Sequence, residues 1–169
     1  MFFIGIDAGT TCIKAAIVSE DGRSIDTASE NVSLYMPSED FCELDMMKLW
    51  ESLCHILMRL KENNSHIWKD IKGIGITGQG DGLWAIDKEG NPAHNAILWN
   101  DTRTKHLELN NRDEIDEICL KNNANPLYAG SNIHILRWLK ESEPETLGNI
   151  LKIFHCKDWL NFKLTDVVS

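Results

Sequence analysis

The sequence predicts an α/β fold whose mixed sheet opens as an antiparallel β-meander, and three observations carry that prediction. Two apolar, β-like runs, Phe2 to Asp7 and Cys12 to Val18, flank the turn Ala8-Gly9-Thr10-Thr11. Asp21-Gly22 then separates the second run from a third, Ser24 to Ser33, and Asp-Gly between β-like runs is a strong hairpin signal. Behind Asp45, an N-cap residue type, Met46, Leu49, Trp50, Leu53, Leu57 and Leu60 recur at helical spacing. Most α/β nucleotide folds place a helix after their first strand; this chain places a strand there.

The remaining elements follow in order. "IKGIGIT", Ile71 to Thr77, reads as a buried strand, with Gly73 and Gly75 where a neighbouring backbone comes close. Leu83 to Asp87 and Ala96 to Trp99 read as short strands around the turn Glu89-Gly90-Asn91-Pro92. Helices are predicted over 102–111, 113–121, 133–140 and 157–164, joined by polar connections containing Pro126, Gly130 and Pro144. Alternation along the second strand puts Ile13, Ala15 and Ile17 on one face and Lys14, Ala16 and Val18 on the other. With 169 residues, one well-packed core is expected.

Charge narrows the function classes. Seventeen basic against twenty-six acidic residues give a net charge of −9, the wrong sign for neutralising nucleic-acid phosphates. A phosphate ligand stays compatible, because the N–H groups of a tight turn bind anions without net positive charge. The five scattered cysteines form no CxxC or zinc-spaced cluster and fit reduced thiols in a cytoplasm. No apolar run approaches the length of a membrane span, so no membrane partner is expected. The six histidines show no HExxH spacing and no Gly-x-Ser-x-Gly elbow accompanies them, which argues against a metallohydrolase or a Ser/His hydrolase.

Three stretches have the residue types for chemistry. In "IDAGTTCIK", Gly9 lets the backbone approach a phosphate while Thr10 and Thr11 add hydroxyl donors, and Asp7 could orient a Mg²⁺ ion through water. The same residues also suit an ordinary β-hairpin turn. In "GQGDG", Gly78 to Gly82, an amide and a carboxylate sit among three glycines, a combination suited to a polyhydroxylated ligand and equally to a polar surface loop. In "ILWNDTRT", Trp99 offers an apolar face to a sugar ring, and Asp101 with Arg103 could grip hydroxyls or hold each other; Asn100 or Asp101 could instead cap a helix.

Together, "GIDAGTTCIKAAI", "GIGITGQGDGLWAID", "AILWNDTRT", "ILRWLKESEPE" and "KDWLNFKLTD" resemble, in order, the N-terminal domain of the FGGY carbohydrate kinases. The resemblance implies the N-terminal lobe of an actin/hexokinase-like (ribonuclease H-like) fold over residues 1–169, and ATP- and Mg²⁺-dependent phosphorylation of a sugar or polyol hydroxyl. By position it implies that Asp7, Gly9, Thr10, Thr11 and Lys14 face the nucleotide phosphates and Mg²⁺, while Gln79, Gly80, Asp81, Trp99, Asp101 and Arg103 line the sugar pocket. Glycerol kinases carry Arg-Glu where this chain has Gly80-Asp81, and D-xylulose kinases Met-His. The Gln-Gly-x-Gly-Leu form of Gln79 to Leu83 is most similar to L-xylulose kinase-like members, which carry a basic residue at the Asp81 position. A pentulose such as xylulose is therefore the expected small-molecule partner, and a homodimer is a possible assembly. The family's general-base aspartate lies in a later segment, so no catalytic base is expected before Ser169, the C-terminal lobe is expected to be absent, and the 169-residue chain is expected to be inactive alone. The alternative from another class is a non-catalytic actin-like sugar-binding or regulatory module.

Overall fold

The computed structural model describes residues 1–107, 112–123 and 127–168. In place of the single core expected, the chain forms two compact units. The first takes Met1–Leu34, Asp45–Gly80 and Phe154–Ser169, and the second Tyr35–Leu44 and Asp81–Ile153.

The first unit is built on a four-stranded sheet of β1 (Phe2–Ala8), β2 (Cys12–Ser19), β3 (Ser24–Asn31) and β6 (Ile71–Gly78), in the order β3-β2-β1-β6. As the Asp-Gly signal predicts, β1–β2 and β2–β3 are antiparallel. Strand β6 joins β1 in parallel after the crossover helix α1 (Met46–Asn63). The predicted alternation holds: Ile4, Ile6, Ile13, Ala15 and Ile17 are buried on one face. The α1 stripe Met46, Leu49, Leu53, Ile56 and Leu60 is buried too, each such aliphatic side chain being worth about 1.5–3 kcal/mol. Asp45 caps α1 by accepting from the Lys48 N–H at 3.1 Å. At the other end Asn64 donates to the Leu60 carbonyl at 3.0 Å and to Asp26 Oδ2 of β3 at 2.7 Å. Helix α5 (Cys156–Thr165) packs against β6, with Cys156, Trp159 and Leu160 buried.

The second unit holds short strands: β5 (Glu43–Leu44), which follows β4 (Leu34–Tyr35), then β7 (Trp84–Ile86), β8 (Ala96–Ile97) and β9 (Lys152–Phe154). It also holds helices α2 (Arg112–Asn123), α3 (Asn132–Ser142) and α4 (Pro144–Asn149). Strand β5 pairs antiparallel with β8, and β7 and β9 form a separate two-stranded sheet. Leu83, Ala85, Ile97, Ile135 and Leu139 form its core. Three expectations need correction. Strand β6, expected to be buried, has only partly buried and exposed residues, and no neighbouring backbone lies within 4 Å of a Cβ on Gly73 or Gly75. The helix predicted over 102–111 is a turn through 103–106, where Arg103 is drawn into a buried ion cluster, and 108–111 lie outside the described residues. Pro144, predicted in a connection, instead opens α4, where its missing N–H costs nothing.

Candidate functional site

In the first unit the β1–β2 turn is closed by the Gly9 N–H donating to the Cys12 carbonyl at 3.0 Å. A Cβ on Gly9 would meet that same oxygen at 3.0 Å, so the tight turn is built for glycine. Cross-strand register sets Asp7 opposite Lys14, and Lys14 Nζ lies 3.1 Å from Asp7 Oδ2, both side chains being about half exposed. They line a concavity of about 530 Å³ on the open sheet face with Gly5, Ala16, Gly75 and Thr77. Because Ala8 pairs with Gly78, the end of β6 arrives beside the turn. The Gln79 N–H donates to the Ala8 carbonyl at 2.9 Å, and Gln79 Oε1 lies 3.5 Å from Thr10 Oγ1. Gln79 Nε2 is buried with no hydrogen-bond partner among the described residues, a donor available to an anion. Among the described residues no group of three His, Cys, Asp or Glu could hold a metal. A single half-exposed carboxylate, Asp7, fits Mg²⁺ held mainly through water and phosphate oxygens.

The second unit places Asp81, Trp99 and Tyr128 together through its backbone. Leu83 and Ile97 exchange two hydrogen bonds, of 2.7 and 3.0 Å, and the Gly82 N–H donates to the Gly130 carbonyl at 3.2 Å. A Cβ on Gly82, at φ +76°, would lie 2.3 Å from the Ile97 carbonyl oxygen; one on Gly130 would lie 1.8 Å from that of Trp99. These two glycines let three chain segments close on one another. Asp81 itself sits at φ 53°, in the left-handed region that Asp tolerates better than most residues. The Tyr128 hydroxyl donates to the Asp81 carboxylate. Burial and that carboxylate hold the phenol above its ordinary value. His134 Nδ1 donates to the Tyr128 carbonyl at 2.8 Å, steadying the residue from the start of α3. Trp99 and Tyr128 remain 48% and 39% exposed.

Beneath these groups lies a buried ion cluster. Asp101 Oδ1 accepts from the Arg103 N–H at 3.0 Å and Nε at 2.9 Å, and Oδ2 from the Cys42 N–H at 2.7 Å and Arg103 Nη2 at 2.8 Å. Arg103 Nη2 also donates to Glu43 at 2.7 Å, and Asn95 donates to the other Glu43 oxygen at 3.1 Å. The guanidinium stacks on Phe41, 4.0 Å from the ring centre, with Trp138 at 4.8 Å. Its pKa rises: burial acts against the charge, and the bonds to Asp101 and Glu43 outweigh it.

Of the predicted sugar-pocket residues, Asp81 and Trp99 lie on the accessible side of the second unit. Asp101 and Arg103 are 1% and 7% exposed and hydrogen-bond each other, Glu43 and Cys42, while Arg103 Nη1 is buried with no hydrogen-bond partner among the described residues. Gln79 and Gly80 belong to the first unit, where Gln79 is tied to the phosphate turn. Tyr128, Glu43 and Gly130 were not singled out by the sequence, and the only signal available was the run Tyr128-Ala129-Gly130-Ser131 ahead of a helix.

The description "FGGY family of carbohydrate kinases, N-terminal domain" matches residues 2–169. The chain belongs to this family. Among FGGY relatives, the probable L-xylulose kinase of Pasteurella multocida is 34% identical over 165 residues, 97% of this chain and 34% of that protein. The xylulose kinase of Staphylococcus xylosus is 33% identical over 97% of this chain, and the L-xylulose/3-keto-L-gulonate kinase of Escherichia coli 31% over 98%, each matched over 34% of its own length. This chain therefore spans about a third of the curated FGGY kinases it matches. The xylulose kinase structure from Rhodospirillum rubrum superposes with a TM-score of 0.90 at 26% identity, over 99% of this chain and 35% of that one. The glycerol kinase of Plasmodium falciparum with ADP, 23% identical over 98% of this chain and 34% of that one, shares the fold with a TM-score of 0.82. The actin/hexokinase-like fold expected from the resemblance is thus the fold observed.

Proposed function

We propose that this chain supplies the nucleotide-phosphate turn and the sugar-recognition residues of an ATP-dependent kinase acting on a sugar or polyol hydroxyl. A pentulose such as xylulose is the substrate the relatives' names favour. The observation that carries the reading is the closed Gly9 turn between Asp7 and Lys14, with the unpartnered Gln79 amide at its side. Turn N–H groups, the Thr10 and Thr11 hydroxyls and Lys14 would donate to phosphate oxygens, and Asp7 would hold Mg²⁺, which would supply neutralisation of phosphate charge. Asp81 and Tyr128 hydrogen-bond sugar hydroxyls, while Trp99 covers the apolar face of the sugar. Gly80 leaves the chain between Gln79 and Asp81 without a side chain. In the reaction a sugar oxygen bonds to the γ-phosphorus, the bond to the β–γ bridging oxygen breaks and ADP leaves. The hydroxyl proton passes to a general base outside the residues assigned here.

Titration calorimetry of the chain with Mg·ATP and, separately, with xylulose tests this assignment. Asp7→Ala is expected to weaken Mg·ATP at least about tenfold while leaving xylulose affinity unchanged. Its stability should fall by no more than about 1 kcal/mol, because the Asp7–Lys14 pair is exposed. Equal weakening of both ligands, or of neither, sinks the role given to the turn.

A further inference from the structure

We infer that the Asp81–Tyr128 couple makes the sugar site of the second unit select uncharged polyols and ketoses against sugar acids. The inference rests on the sugar-binding role proposed above and names the substrate class of that site. Asp81 is partly exposed, and among the described residues no lysine or arginine pairs with it. Arg103, in the same unit, is buried and bound to Asp101 and Glu43.

Tyr128 fixes where the negative charge stands. Its hydroxyl donates a hydrogen bond to Asp81, so the phenol oxygen's lone pairs and the remaining carboxylate lone pairs are left as acceptors. Such a surface takes hydrogen bonds from vicinal hydroxyls, which are donors. A ligand carboxylate brings only acceptors and a second negative charge, and meets both like-charge repulsion and unpaired lone pairs. The Tyr128 hydrogen bond orients the carboxylate, and the close approach of Gly82 to the Ile97 carbonyl fixes the backbone next to it. Two relatives frame the choice, since one is named for xylulose and another for both L-xylulose and an acid, 3-keto-L-gulonate.

The test is competitive titration of the chain with xylulose and gluconate. The unaltered protein should prefer xylulose by roughly tenfold or more. Asp81→Asn keeps the shape, an acceptor for Tyr128 and a residue suited to the left-handed region, and should bring the two affinities within about twofold. Asp81→Lys should reverse the order. Tyr128→Phe should weaken xylulose by a few-fold yet keep the preference, because the charge remains; a purely structural role for the pair would instead change both affinities alike in every variant. Gluconate binding as tightly as xylulose in the unaltered protein overturns the inference, as does a preference that survives Asp81→Asn and so belongs to the net charge of −9. Binding of neither sugar overturns the sugar-binding reading and this inference with it, whereas binding of both without discrimination overturns the inference alone.

Discussion

The two candidate ligand-binding regions are held by opposite means. The phosphate turn of the first unit is made by strand register and one glycine: its charged residues, Asp7 and Lys14, are half exposed and make one surface pair. The sugar-binding region of the second unit stands on a buried cluster in which Asp101, Arg103 and Glu43 have almost no exposure. A surface pair contributes at most about 1 kcal/mol, so the turn's polar side chains are available for ligand chemistry at small structural cost. A buried cluster is a different case, because removing one member strands the others without water. Side chains that look equally functional in sequence therefore differ in what their loss should do, binding in the first unit and folding in the second.

The sharpest way to break that contrast is to remove the shared cation. Arg103→Met should destabilise the second unit by about 3–5 kcal/mol, since Asp101 and Glu43 would be left buried and unpaired. Arg103→Lys should recover only part of the loss, because an ammonium cannot reproduce the fork that meets both carboxylates and stacks on Phe41. Urea unfolding followed by tryptophan fluorescence measures both. Stability within 1 kcal/mol of the unaltered chain would mean that the cluster is not what supports the Trp99 segment.

Glycines sharpen the comparison with a smaller effect. Gly130→Ala drives a methyl group into the Trp99 carbonyl and should cost about 1–3 kcal/mol or more, with any xylulose affinity falling in parallel. Gly75→Ala, on the open sheet face of the first unit, meets nothing within 4 Å and should leave stability within about 0.5 kcal/mol. If the two variants melt alike, close backbone approach is not what assembles the second region.

The same contrast explains how much was legible in the sequence. The meander, helix α1 and the turn between β1 and β2 are local, and Asp-Gly, the helical stripe and Gly-Thr-Thr announce them within a few residues. Asp81 and Trp99 stood out for their residue types, but their partners are remote: Tyr128 lies 47 residues from Asp81, and Glu43 60 from Arg103. Periodicity says nothing about such pairs. The helix predicted over 102–111 failed for that reason: a reading of local propensity could not know that the Arg103 side chain would be needed inside. Gly130 likewise reads as loop punctuation until its contact with Trp99 is seen.

The smallest expected effect probes the surface character of the first unit through pH. Asp26 of β3 accepts from Asn64, which also caps α1, and from the Thr27 N–H at 2.8 Å. These bonds favour the ionised carboxyl, Asn64 contributing most, and hold its pKa below the ordinary 3.8. A depressed acid stabilises the fold above its unfolded value, and that stabilisation is lost as pH falls through the lower folded value. Asp26→Ala should therefore melt below the unaltered chain at pH 7, and the gap should narrow as pH is taken below 3.8. Because the carboxyl stands near the surface, the gap at pH 7 should be smaller than that of either Arg103→Met or Gly130→Ala. A gap independent of pH would show that Asp26 acts only by packing and not by charge, and a gap as large as that of Arg103→Met would erase the distinction between the surface polar groups of the first unit and the buried ones of the second.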